Sequence, residues 1–172
     1  GEGDYFSVTT DADKTTLYAS SKGDAEKGWV VKAAINDGKL DALTPFIQTR
    51  TATEVATPCS VVVSPKKWLV VSQAGEIGDA ADGLIAFYKP DDGEMALKLE
   101  TGLRDAVAIA YSPAKEPGDS KLYALDFAWT TPAEGGLFRL EATSLEDRSA
   151  GCFANKLVSL DKPVAMAFAP DG

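Results

Sequence analysis

The feature that most constrains this chain is a unit of about 53 residues that recurs along it. The first copy reads Tyr5-Phe-Ser-Val-Thr-Thr-Asp, Thr16-Leu-Tyr-Ala-Ser, Gly28-Trp-Val-Val-Lys-Ala-Ala-Ile and Asn36-Asp-Gly. The second reads Ser60-Val-Val-Val-Ser-Pro, Trp68-Leu-Val-Val-Ser, Gly83-Leu-Ile-Ala-Phe-Tyr and Asp91-Asp-Gly. The third reads Ala106-Val-Ala-Ile-Ala-Tyr-Ser-Pro, Lys121-Leu-Tyr-Ala-Leu-Asp and Gly136-Leu-Phe-Arg-Leu, and Val164-Ala-Met-Ala-Phe-Ala-Pro opens a fourth. Leu17, Leu69 and Leu122 stand 52 and 53 apart, and Gly28, Gly83 and Gly136 stand 55 and 53 apart.

Each copy predicts four strands. The first run ends at Ser-Pro or Thr-Thr-Asp, where a turn must follow. The second, Leu-Tyr-Ala or Leu-Val-Val, suits a pleated, half-buried surface. The third starts at the glycine, and Asp37-Gly38 or Asp92-Gly93 turns it into the fourth. Fourth strands are expected over Lys39 to Thr49, Glu94 to Thr101 and Asn155 to Leu160; the third copy lacks Asp-Gly, so a longer connection is expected over 144–151. Short helical turns fit only 79–82 and 144–149. The expectation is an all-β chain whose four-stranded antiparallel units repeat radially as a β-propeller, since a β-sandwich requires no such repeat. The blades fall at 4–56, 57–104 and 105–162, with the first strand of a fourth at 163–172.

The hydrophobic strand with Ser-Pro, Leu-Tyr-Ala, Gly-Leu-Phe-Arg-Leu and the closing Ala-Pro-Asp-Gly together resemble blades of six-bladed propellers of the NHL-repeat and gluconolactonase (strictosidine-synthase-like) kind. The resemblance covers most of the chain, but its motifs build blades rather than sites. Six blades of this length come to about 320 residues. The resemblance therefore implies remaining blades in a longer chain, or copies closing a ring as a homo-oligomer. In lactonases of that family, acidic and amide side chains hold a divalent metal that polarises the substrate. The Glu-Gly-Pro signature at the family's first ligand is absent here.

Charge and composition narrow the chemistry. With 26 acids against 17 bases the net charge is −9, which disfavours a phosphate backbone and so nucleic acid. The longest apolar runs, such as Ala106 to Tyr111, are far shorter than the roughly 20 residues of a membrane-spanning helix. Histidine is missing altogether, which excludes serine–histidine triads and histidine bases or ligands within this chain. Cys59 and Cys152 have no zinc-ligand spacing; they are read either as one disulfide or as two thiols. The cysteines, the acidity and the resemblance lean towards an extracytoplasmic, secreted or periplasmic protein.

In such blades the loops joining second to third strands open on the face where ligands of this architecture lie. Here those loops, 20–27, 73–82 and 127–135, are long and polar. With the blade-joining segments they place Glu76, Asp79, Asp82, Arg104, Asp105, Asp126, Trp129 and Glu134 on one ligand-binding face. Carboxylates there could hold a hard cation such as Ca²⁺, or form a solvated rim. Asp126, at the end of an inner strand, is the candidate catalytic acid and, with Asp105, the candidate metal ligand; the alternative is a carboxylate bonded to nearby backbone N–H groups. Trp129 would wall that site or, like Trp29 and Trp68, pack between blades. The first reading of function is a binding scaffold for a small molecule or protein, not demonstrably an enzyme. The alternatives are a Ca-type lactonase-like hydrolase and a structural segment that completes a ring by oligomerisation.

Overall fold

The computed structural model describes residues 4–23, 28–55, 57–76, 80–146 and 149–169. The chain is all-β. Its strands form three successive antiparallel meanders, because each apolar run is cut by a turn that sends the chain back beside itself. The first holds β1 (Tyr5–Thr10), β2 (Thr16–Ser21), β3 (Trp29–Asn36), β4 (Lys39–Leu40) and β5 (Thr44–Gln48). The second holds β6 (Pro58–Val63), β7 (Leu69–Gln73), β8 (Gly83–Tyr88) and β9 (Met95–Leu103). The third holds β10 (Ala106–Tyr111), β11 (Leu122–Asp126), β12 (Gly136–Glu146) and β13 (Ser149–Ser159). Among the described residues no helix is long and apolar enough to cross a membrane.

The recurring residues have recurring tasks. At the first turn of each meander a side chain accepts backbone N–H groups from across the hairpin: Asp11 from Thr15 and Thr16, Ser64 from Trp68, Ser112 from Lys121. This explains why Thr-Thr-Asp can stand where the other copies have Ser-Pro. The repeated glycines sit where the third strand presses on the end of the fourth or the chain just beyond it. A Cβ on Gly83 would lie 2.7 Å from the Leu103 carbonyl oxygen, one on Gly28 would lie 2.6 Å from Pro58 Cδ, and one on Gly136 would run into the Val158 carbonyl.

The second meander is buried on both faces, so its strands read as continuous apolar runs. Leu69 and Val71 turn towards the first meander, into a cluster with Tyr18, Val30, Ile47 and Val61. Val70, between them, turns the other way, to Ile109, Leu122, Ala124 and Phe138 of the third. Leu69, Val70 and Val71 are wholly buried, each stabilising the fold by about 1.5–3 kcal/mol relative to exposure.

Several expectations are corrected. The fourth strand of the first meander is not continuous over 39–49. Asp37 and Gly38, both at positive φ, make the tight turn, but β4 ends after Leu40 and β5 takes over the edge of β3, followed by a short helix α1 (Thr49–Thr53). In the third meander no long connection or helical turn follows Ser144. Instead β12 and β13 stay paired to Glu146 and Ser149, making a hairpin of two 11-residue strands. Its tip pairs in parallel with β9, Ser149–Gly151 against Lys98–Glu100, and joins the second and third meanders into one eight-stranded sheet. An otherwise open β9 edge is thereby covered. Val164–Ala169, expected as the first strand of a fourth copy, forms no ladder among the described residues. Phe168 nevertheless packs edge-on against Tyr123 at 5.1 Å. Tyr123 alternates with the core residues Leu122 and Ala124, so that contact lies on the side facing away from the second meander.

Candidate functional site

The junction between the second and third meanders is tied by two carboxylates. Asp126, the last residue of β11, is 3% exposed. Its Oδ1 accepts N–H groups from Asp105 (2.8 Å) and Ala128 (3.1 Å), and its Oδ2 accepts the Arg104 N–H (3.0 Å). Asp105 answers across the same gap. Its carbonyl accepts the Phe127 N–H and its Oδ2 the Trp129 N–H, at 3.0 and 2.8 Å. Of the two roles expected for Asp126, the structure supplies the bonds to backbone N–H groups.

Among the described residues Asp105 Oδ1 is buried without a hydrogen-bond partner, as is Asp82 Oδ1. Burial pushes the Asp105 carboxyl above the usual carboxylate range. The Trp129 N–H bond opposes that shift, while the charges of Asp126 and Asp82 add to it. Ca²⁺ takes six to eight oxygens, whereas both Asp126 oxygens and one Asp105 oxygen are occupied by backbone donors. Among the described residues no group of three or more acidic or cysteine side chains is arranged to hold a metal.

The other expected residues divide between two places. Arg104, Asp126 and Glu134 come together in a groove of about 530 Å³ between β9 and the β12–β13 hairpin, on the face of the long loops. Arg104 Nε meets Glu134 Oε2 at 2.6 Å. Lys156 donates to the carbonyls of Ala133 and Glu134 at 3.2 and 2.9 Å, anchoring the 3-10 turn Pro132–Glu134. The Arg104 bond, with the charges of Arg104 and Lys156, holds the Glu134 carboxyl below its usual range. Leu103, Phe138 and Phe153 supply apolar wall. Glu76 and Asp82 lie apart from this groove, on the β7–β8 loop: the Glu76 N–H bonds Asp82 Oδ2, and the Glu76 carboxylate pairs with Arg50 at 3.9 Å. Asp79 lies outside the described residues.

Two expectations about side chains change. Trp129 is 51% exposed, stacked on Phe127 with Lys162 over its ring, so it does not pack between meanders. Cys59 and Cys152 are free thiols on β6 and β13 of different meanders, not a disulfide. Burial pushes the Cys59 thiol up to about 11 and raises that of Cys152 as well.

Sequence reasoning missed Gln73 and Lys156. Gln73 is wholly buried at the end of β7 and donates to the Val55 carbonyl (2.6 Å) and Thr53 Oγ1 (3.0 Å), tying the first junction as Asp126 ties the second. The register carried that signal, since Gln73 pairs with Pro58 as Asp126 pairs with Ala106. Lys156 had no comparable signal. A larger cleft, about 750 Å³, opens at the opposite, hairpin face between the first and second meanders. Two of its carboxylates, Asp11 and Asp41, are engaged by Thr15 and Asn36, and none of the expected site residues lines it. The groove is therefore the better candidate. Neither a protein-family model nor a curated protein matches the chain.

Proposed function

We propose that the chain is a run of propeller blades acting as a non-catalytic binding scaffold, with its ligand in the groove between the second and third meanders. The convergence of Arg104, Asp126, Glu134 and Lys156 beside apolar wall carries the reading. A few placed polar groups in a concave, largely apolar setting is the usual make-up of a small-molecule site. The propeller reading is supported by three antiparallel meanders whose first three strands follow one another in the same order, with apolar clusters shared between neighbouring meanders. Asp126 and Asp105, the candidate metal ligands of the lactonase-like alternative, accept backbone N–H groups, which favours a structural role for them. Hydrolysis of a lactone panel with added CaCl₂ tests this: no turnover above buffer is expected. Turnover that disappears with EDTA and in Asp126→Asn would overturn it.

Self-assembly into a ring is the second reading, favoured by apolar side chains at both ends of the meander series. Phe6 and Val8 are 49% and 62% exposed on β1; Val164 is 70% exposed at the other end. The occupant of those faces is then a second copy. Light scattering should show a dimer that Val164→Asp dissociates, and a monomer at micromolar concentration would reject it.

A further inference from the structure

We infer that the hairpin face carries a second site, for a phosphate-bearing anion, between Lys67 and Lys115. It is independent of the groove, which opens on the face of the long loops. Each first turn places a lysine three residues after the side chain that closes it: Lys14 after Asp11, Lys67 after Ser64 and Lys115 after Ser112. In the first two turns the lysine N–H returns to that residue's carbonyl, and the lysine stands at positive φ, 57° and 65°. Glycine or asparagine takes that conformation more readily than a long side chain does. Turn closure therefore does not call for lysine there, and its recurrence points to the ammonium group. The first turns meet around a pocket of about 490 Å³, lined by Lys67 and Lys115 and by the hydroxyl-bearing Thr9, Thr10, Tyr111 and Ser120. Among the described residues no carboxylate lines it, in a chain of net charge −9. Lys67 also borders the neighbouring cleft with Asp11, Asp13 and Asp91. Yet among the described residues neither it nor Lys115 has an ion pair or a side-chain hydrogen bond, whereas Lys89, Lys98, Arg104 and Arg139 each pair with a glutamate. Burial pushes the Tyr111 phenol up to about 12, so it stays a proton donor. A phosphate monoester carries a charge of about −1.5 to −2 at neutral pH and three acceptor oxygens. That matches two ammonium groups and a set of hydroxyls; a carboxylate, with one charge and two oxygens, matches less of it.

The experiment is an amide-shift titration of the ¹⁵N-labelled chain with inorganic phosphate and with acetate, at an ionic strength held constant with NaCl. Phosphate should give saturable shifts at Thr10, Lys67, Lys115 and Ser120, and should bind more tightly than acetate. Lys67→Gln and Lys115→Gln should each weaken it about two- to fivefold, the range of an exposed ion pair, and the double variant should abolish saturation. Lys39→Gln, which removes the same charge from outside the pocket, should change nothing. Shifts that never saturate, acetate binding as tightly as phosphate, or an equal loss in Lys39→Gln would each overturn the inference. The groove reading stands or falls separately, since none of these residues lines the groove.

Discussion

Asp126 offers the sharpest test of how the second and third meanders are held together. Its carboxylate receives the N–H groups of Arg104, Asp105 and Ala128 at 3.0, 2.8 and 3.1 Å, and Asp105 and Ala128 are buried. In Asp126→Ala these donors lose their acceptor, and each stranded buried donor costs about 1–3 kcal/mol. Relief of the repulsion between Asp126 and Asp105 returns part of that, so the expected loss is about 3–4 kcal/mol, a large share of the 5–15 kcal/mol typical of a domain. Asp126→Asn can keep the bonds from Asp105 and Ala128 through its single oxygen. Its NH₂ then faces the Arg104 N–H, and the loss should be about 1–2 kcal/mol. Denaturant unfolding of the three proteins, with hydrogen exchange read at residues 104, 105 and 128, measures both size and place. An alanine variant within about 0.5 kcal/mol of the parent, or unchanged protection at those amides, would refute the reasoning.

Asp105 should respond to pH with the opposite sign from a salt-bridged carboxylate. Its folded-state pKa is raised above the ordinary carboxyl value, so its penalty is full above that raised value and is relieved as pH falls through it. Asp105→Asn should therefore be more stable than the parent at neutral pH, with the gap closing on acidification; a gap constant with pH in denaturant titrations would contradict this. Gly83→Ala, with its Cβ 2.7 Å from the Leu103 carbonyl, should cost about 1–3 kcal/mol in the same assay, whereas Gly38→Ala meets no atom and should cost only its turn strain. Thiol titration of the denatured, unreduced chain should give two thiols, and in the native chain Cys152 should react before the more buried Cys59. Recovery of no thiol would restore the disulfide.

The repeat was legible because its anchors are physical necessities: a side chain to close the first hairpin and a glycine where the third strand meets its neighbour. Inner strands buried on both faces, such as Leu69-Val-Val, could hardly be read otherwise. The outer strands were harder. β12 and β13 carry polar residues such as Glu141, Ser144 and Glu146, and no Asp-Gly marks their turn, so the long hairpin looked like a loop. Helix α1, Thr-Arg-Thr-Ala-Thr, is mostly threonine, a weak helix former, and is too short to leave a periodic trace. At the site, Arg104, Asp126 and Glu134 were found because loops at one end of the meanders must share a face. Lys156 was not, because its reach to two carbonyls depends on where the β12–β13 hairpin sits.

The central claim is that Asp105 and Asp126 hold backbone, leaving recognition to the groove beside them. The most direct measurement is the carboxyl ¹³C shift of both residues, followed as CaCl₂ is added to the folded chain. Shifts unchanged by calcium, with the 105 and 128 amides still protected, are the expected result. A saturable shift of both carboxyls, lost in Asp126→Asn, would show them to be metal ligands and contradict the account.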